Sequence, residues 1–299
     1  MNKKFFTFIT ALIFMLTIFS VTSAEGQWRL DGEPDKMPRN FRLMTDDWQV
    51  EIYYNPPTRE GLDTFYASAS GQPTLSEFKN IFDKLKGIAP NDKKIYIVDL
   101  RQESHGFADE YPISWYEKKN RANVGKTFSE IELDEKQRIE NLRGQFTKFV
   151  PLGNYDTAHF KEISFAPKNT CTEKQVAESV GFKYARFYAL DMTFPTPDVV
   201  DEYLKFLSQL DSDAWLHFHC HAGHGRTTIF LVIYDILKHP NLSFEDIVRR
   251  QYLLGGSNLF DGSEREKYIR LFYEYAHENS TQSWSSWLGT YFSFGAKEK

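Results

Sequence analysis

The chain has 299 residues, of which 41% are hydrophobic and 26% charged, with 17 glycines and 12 prolines. A chain of this length can bury a sizeable core without cross-links, and its composition excludes a disordered, collagenous or low-complexity protein. The formal charge of −5 leaves no overall basic field to attract nucleic acid, so any anionic ligand needs a local cluster of cations. Two cysteines, Cys171 and Cys220, are too few for a disulfide framework or a four-cysteine zinc site.

At the N-terminus, Lys3 and Lys4 precede an apolar run from Phe5 to about Val21, followed by Thr22-Ser23-Ala24. A charged n-region, an apolar h-region and a small-residue cleavage site make a secretory signal over 1–24. The competing reading is an uncleaved anchor, for which the run is near the lower length limit. The expectation is an extracytoplasmic protein, secreted or periplasmic, with no membrane contact after cleavage. In that setting two cysteines argue that at least one is kept as a thiol for chemistry.

Next, Thr74 and Glu77 form a capping box before Leu75, Phe78, Phe82 and Leu85, with Gly87 expected to end the helix. Ile95 to Leu100 reads as a buried strand. The polar stretch 106–168, with its charged run Glu130 to Arg143, breaks the rhythm and reads as an inserted small domain within a core of 25–105 and 169–299. Thr170 and Glu173 read as the cap of a short helix stopping at Gly181, and Tyr184 to Leu190 as a strand. Pro197 suits the first turn of a helix with Val200, Tyr203, Leu204, Leu207 and Leu210 on one face. Ala214 to His219 is a strand, Ile229 to Leu237 a helix apolar nearly all round, and Ser243 with Asp246 the cap of a helix ending before Gly255-Gly256. Strands alternating with helices predict an α/β fold, a largely parallel central sheet covered by helices.

The chemistry is concentrated in His219-Cys220-His221-Ala222-Gly223-His224-Gly225-Arg226-Thr227-Thr228. It joins a buried strand to a buried helix, a junction that aims backbone N–H groups and a positive helix end at one spot and so suits a phosphate. Cys220 stands at the bottom of that cradle. Arg226 can fork around two phosphate oxygens, and Gly223 and Gly225 let the backbone approach the ligand closely. Positive surroundings favour a nucleophilic thiolate. His217, His219, His221 and His224 are half of the eight histidines and invite a metal reading. That reading needs convergent ligands, whereas His217 and His219 share a strand face and the loop histidines should point away from the cradle.

The segment resembles the signature loop of the cysteine-based protein tyrosine phosphatases, His-Cys-(five residues)-Arg-Ser/Thr. Trp28-Arg29-Leu30-Asp31, Pro38-Arg39-Asn40-Phe41-Arg42, Asp99-Leu100-Arg101-Gln102-Glu103-Ser104-His105-Gly106, Trp215 to Cys220, and the Trp284–Trp287 pair extend the resemblance to the bacterial protein tyrosine phosphatase-like phytases. It implies a phosphatase core with a small β-barrel-like insertion, no metal or other cofactor, and hydrolysis of myo-inositol hexakisphosphate through a phosphocysteine. Cys220 is then the nucleophile. Arg226 and the amides of His221, Ala222, Gly223, His224 and Gly225 hold the phosphoryl group, and Thr227 bonds the sulfur. Asp191, before Met192-Thr193-Phe194-Pro195-Thr196-Pro197, is the general acid; the family usually has His where Met192 stands. Arg29 and Lys267 match positions that bind substrate phosphates, and Glu103, with Arg101 and His105, matches the block bordering the pocket. A lysine-rich stretch of the family is shortened here to about 256–263. Arg29, Arg39, Arg42 and Lys267, if they converge, would form a basic rim for several phosphates. The alternative is a protein tyrosine phosphatase acting on phosphoprotein, which needs a deep slot with an aromatic wall; a non-catalytic phosphate-binding module would need no thiolate.

Overall fold

The structure is a computed structural model that describes residues 26–51, 55–90, 93–117, 119–278 and 280–295. The 1–24 segment lies outside the described residues. In chain order the strands are β1 (Gln27–Leu30), β2 (Arg42–Leu43), β3 (Ala67–Ser70), β4 (Ile95–Asp99), β5 (His105–Ala108), β6 (Tyr111–Tyr116), β7 (Thr147–Pro151), β8 (Ile163–Phe165), β9 (Thr170–Thr172), β10 (Lys183–Arg186) and β11 (Trp215–His219). The α-helices are α1 (Leu75–Ile88), α2 (Phe128–Asn141), α3 (Asn154–His159), α4 (Glu173–Val180), α5 (Pro197–Ser208), α6 (Gly225–Lys238), α7 (Phe244–Leu253), α8 (Glu264–His277) and α9 (Trp284–Gly295). Among the described residues no helix is long and apolar enough to cross a membrane.

The sheet that carries the chemistry has the order β10-β4-β11-β3-β2. Its first four strands are parallel, and β2 pairs antiparallel with β3. Alternation along the strands divides the core between two faces. Val98, Leu216 and Phe218 pack with Tyr203, Phe230 and Ile233. Ile95, Ile97 and Trp215 pack with Phe78, Ile81, Leu85, Val176 and Phe182. The mixed α/β fold predicted above is therefore present, and α6 is apolar all round because it lies between the sheet and the helices outside it.

Several local expectations shift. The Thr74–Glu77 capping box is present, but Gly87 lies inside α1 and Ala89 caps it. Thr172 with Gln175, not Thr170 with Glu173, caps α4, because Thr170 is used in β9. The strand foreseen over 184–190 stops at Arg186. Pro197 opens α5 and Ser243 caps α7 as expected.

A second sheet has the order β8-β7-β1-β6-β5-β9. Three of its strands come from within 106–168, while β1, β5 and β9 come from 27–30, 105–108 and 170–172. Leu30, Ile113 and Phe149 pack under it with Ile139 of α2. Its β1 and β5 bring Arg29 and His105 against the carboxyl end of the core sheet, where β11 ends at His219.

Candidate active site

β11 pairs with β4 on one side and β3 on the other, so Cys220 emerges from the middle of the sheet at its carboxyl edge, where open α/β sheets bind ligands. The loop passes directly into α6, which starts at Gly225. Gly223 has φ +76°, and a Cβ there would collide with the backbone of Ser70 and Gly71, so this position requires glycine. Its N–H donates to Cys220 Sγ at 3.3 Å. Cys220 is 3% exposed, at the base of a cavity of about 310 Å³ lined by Asp191, Met192, His224, Arg226, Ser257 and Arg265, among others.

Arg226 is buried and held in one orientation. Its Nη1 donates to Glu103 Oε2 at 2.7 Å and to the Ala189 carbonyl at 3.2 Å, and its Nη2 donates to Glu103 Oε1 at 3.0 Å. Its Nε is 3.5 Å from Asp191 Oδ1. Burial works against the Glu103 charge, but Arg226 and Arg101 outweigh it and hold the carboxyl well below the usual carboxylate range. Asp191 is one-third exposed at the side chain and accepts from Asn120 Nδ2 at 3.1 Å. The next residue, Met192, has φ +64° and is 75% exposed, so it offers an apolar surface at the cavity mouth.

Behind Arg226 lies a lattice of buried charge. Arg101 donates to Glu103, Asp31 and Gln72 at 2.9, 2.9 and 2.5 Å. Arg29 donates to Asp31 at 2.7 Å and Ser114 at 3.0 Å, with its Nη2 3.8 Å from Glu103. Three guanidinium groups thus share the buried Asp31 and Glu103 carboxylates, with the Asp191 carboxyl 3.5 Å from Arg226 on the cavity side. Further out, Asp99 accepts from Tyr184 and lies 3.1 Å from Arg186. Burial alone would push His105 down, but the Asp99 carboxylate outweighs it, with Glu173 also close, and raises His105 to about 10. Asp99, His105 and Glu173 are close enough to surround a cation; the protonated imidazole and Arg186 already supply the positive charge.

The loop histidines do not converge on a metal. His217 is fixed between Ser68 and Ser70 at 2.9 and 3.0 Å, His219 meets Glu173 at 2.7 Å, and His221 meets Asp156 at 2.9 Å. Burial lowers His224, and Arg42 and Arg39 lower it further. Thr227 is fully buried and its hydroxyl has no hydrogen-bond partner, so the bond to sulfur is not made in this structure. Thr228 instead fixes the helix start, donating to His224 O at 2.7 Å and accepting from Ser257 N–H at 2.9 Å.

Cys220, His221, Ala222, His224, Gly225, Arg226 and Asp191 line one cavity, and Glu103 lies directly behind it. The four cations expected at a rim do not converge there. Arg29 and Arg42 are buried at 3% and 1% exposure, and Arg39 is paired with Asp156 at 2.7 Å. Lys267 lies beside Glu264 and over Tyr268 and Phe292, along a different groove between α8 and α9. The cation of α8 that reaches the cavity is Arg265, which sequence reasoning missed together with Asn120 and Asp156. No local pattern marks these three; only the fold brings Arg265 to the cavity, Asn120 to Asp191 and Asp156 to His221. Chemically, the arrangement offers a buried thiol that accepts from a loop amide, a fixed guanidinium and a solvent-reachable carboxyl within one cavity, the groups needed for nucleophilic displacement at a phosphoryl centre.

Residues 98–238 match the family model named PTP-like phytase, whose description is inositol hexakisphosphate. The tandemly repeated protein tyrosine phosphatase-like phytase from Mitsuokella multacida is 34% identical with a TM-score of 0.81, over 88% of this chain and 49% of that one. The structure of the myo-inositol phosphatase from Mitsuokella multacida in complex with myo-inositol-(1,3,4,5)-tetrakisphosphate has the same identity and a TM-score of 0.80. A phytase of this type from Bdellovibrio bacteriovorus is 26% identical with a TM-score of 0.69, over 89% of this chain and 95% of that one. The effector protein hopD2 of Pseudomonas syringae is 27% identical over 216 residues, 64% of this chain and 45% of its own length. This chain thus spans about half the length of the Mitsuokella enzyme and of the Pseudomonas effector. The match over 98–238 contains both the Glu103 block and the whole cysteine loop, the two parts that meet in the cavity, and together with the shared fold it makes this chain similar to the protein tyrosine phosphatase-like phytases in both architecture and site.

Proposed function

We propose that the chain is a cysteine-dependent phosphomonoesterase that hydrolyses inositol polyphosphates, myo-inositol hexakisphosphate among them. The observation that carries this reading is the bidentate Arg226–Glu103 pair beside the Cys220 loop, with Asp191 lining the same cavity 3.5 Å from Arg226. The inositol tetrakisphosphate bound by the Mitsuokella relative supports the substrate class. In the first step the Cys220 thiolate attacks phosphorus, the P–O bond to inositol breaks, and Asp191 gives its proton to the leaving oxygen. In the second, Asp191 takes a proton from water as the water oxygen attacks the phosphocysteine, releasing phosphate and restoring the thiolate. Arg226 and the loop amides bear the charge that grows on the equatorial oxygens. No step in this scheme requires a metal.

The exposed, apolar Met192 in the cavity lining makes the phosphoprotein alternative the one to test directly. Phosphate release is measured from inositol hexakisphosphate and from a phosphotyrosine peptide, both with EDTA. Faster turnover of the inositol substrate supports the proposal; turnover of the peptide alone refutes it, and loss of activity on chelation restored by zinc refutes the metal-free scheme. Secretion is part of the proposal, resting on the 1–24 pattern. Mass spectrometry of the protein exported from its native cell should find the N-terminus just after Ala24.

A further inference from the structure

An oxyanion cradle works only if its amides converge. In a trans peptide the C=O and the following N–H point in opposite directions, so each inward N–H requires an outward carbonyl, and that carbonyl needs a donor of its own. In this loop three consecutive carbonyls find donors in one short stretch, 39–42. The His221 carbonyl accepts from Arg39 Nη2 at 3.0 Å, and also from Gln72 N–H at 3.1 Å. The Ala222 carbonyl accepts from Asn40 Nδ2 at 2.8 Å, and the Gly223 carbonyl from Arg42 Nη1 at 2.8 Å. With these oxygens turned out, the N–H groups of Ala222, Gly223 and His224 turn the other way. Gly223 provides the internal check, since its N–H is the one on Cys220 Sγ.

The donors are themselves fixed. Arg39 is tied to Asp156, which also holds the His221 imidazole, and lies over the Tyr155 ring at 4.7 Å. Arg42 is buried and also donates to the Asn40 carbonyl at 3.2 Å. Asn40 sits at φ +56°, a left-handed conformation that asparagine tolerates better than most residues. The Ala222–Gly223 peptide is therefore bound at both ends, by Asn40 on its oxygen and by the sulfur on its N–H. A hydrogen bond at one end of a peptide polarises it and strengthens the bond at the other.

We propose that Arg39, Asn40 and Arg42 are positioning residues for the nucleophile loop, and that Asn40 acts on the Cys220 sulfur through the Ala222–Gly223 peptide. The inference rests on the phosphatase reading above. Asn40 makes the cleaner test, because it is exposed whereas Arg42 is buried and its loss endangers the fold. Asn40→Gly keeps access to the left-handed backbone and removes the donor; Asn40→Asp keeps the shape and turns an acceptor on the Ala222 carbonyl. Three quantities are read on full-length mature protein: inhibition by orthovanadate, the pH midpoint of Cys220 alkylation by iodoacetamide, and Tm.

Asn40→Gly should weaken vanadate about three- to tenfold, the worth of one net hydrogen bond, and move the alkylation midpoint upward, with Asn40→Asp larger in both. A purely structural residue would change Tm alone. Wild-type vanadate affinity and alkylation midpoint in Asn40→Gly, whatever its Tm, would overturn the assignment. If the wild-type protein neither cleaves an aryl phosphate nor binds vanadate, the phosphatase reading falls and this inference with it. Wild-type binding with equal binding by Asn40→Gly defeats the positioning role alone.

Discussion

The loop 219–226 is built between two unlike surroundings. On the α6 side it continues into Ile229, Phe230 and Leu231, all buried in the apolar core with Phe218. On the side of the second sheet it meets Glu103, Arg101, Asp31, Arg29 and Asp156, also buried but charged. Hydrocarbon burial is favourable and non-directional, so the first side holds the helix start in place without specifying a bond angle. Guanidinium–carboxylate forks are directional and costly to desolvate, so the second side sets which way Arg226 points. Stability and orientation are thereby supplied by different chemistry on the two sides, and substitutions should leave different signatures.

The largest effect tests the loop itself. Cys220→Ser should reduce turnover to background while orthophosphate binding survives, because the amides and Arg226 remain; appreciable turnover by that variant would remove the covalent route. Next, Asp191→Asn should lower kcat on inositol hexakisphosphate by about 10²–10⁴, the usual worth of general acid catalysis. The loss should be smaller in the burst phase with an aryl phosphate, whose leaving group needs less protonation. Equal losses below about tenfold on both substrates would make Asp191 structural.

The comparison between the two sides is sharpened by one substitution on each. Glu103→Gln leaves buried guanidinium charge without its partner and should cost about 3–5 kcal/mol in denaturant unfolding, with kcat reduced in the protein that still folds. Ile233→Val on the apolar side, away from the cavity lining, should cost about 0.5–1.5 kcal/mol, with kcat per folded molecule little changed. A larger loss of kcat from Ile233→Val than from Glu103→Gln would reverse the assignment of roles.

pH reads the charged side alone. His105 titrates near 10 in the fold, above its ordinary value of 6.5. Its contribution to stability is thus complete below about pH 6.5 and lost as pH rises toward 10. Urea unfolding of wild type and His105→Gln should differ most near pH 6 and converge by about pH 10. A gap that widens with pH would mean the imidazole is neutral in the fold. The smallest expected effect is Arg265→Ala, which should raise KM for inositol hexakisphosphate severalfold and more than Lys267→Ala does; the opposite order would restore Lys267 to the substrate.

What was legible in the sequence was local. Cys220 and Arg226 belong to one strand–loop–helix junction, and six residues of separation allow only a few ways for a loop to close over an anion. The apolar runs that became β4, β11 and α6 carry their burial in composition, so the α/β core followed from them. Two capping boxes overlap at 170–175, and pairing of Thr170 with Ala108 of β5 chose the second; no local rule could decide between them. Residues 265 and 267 differ by about 200° around a helix, so the phase of α8, set by its packing, decided which cation faces the cavity. Arg39 and Arg42 read as candidate rim cations because their partners, the carbonyls of the loop, lie some 180 residues away in sequence. A charged side chain declares its charge in the sequence, but its direction and its partner come from long-range contacts, and at this site those contacts make the difference between a rim for substrate and a support for the nucleophile.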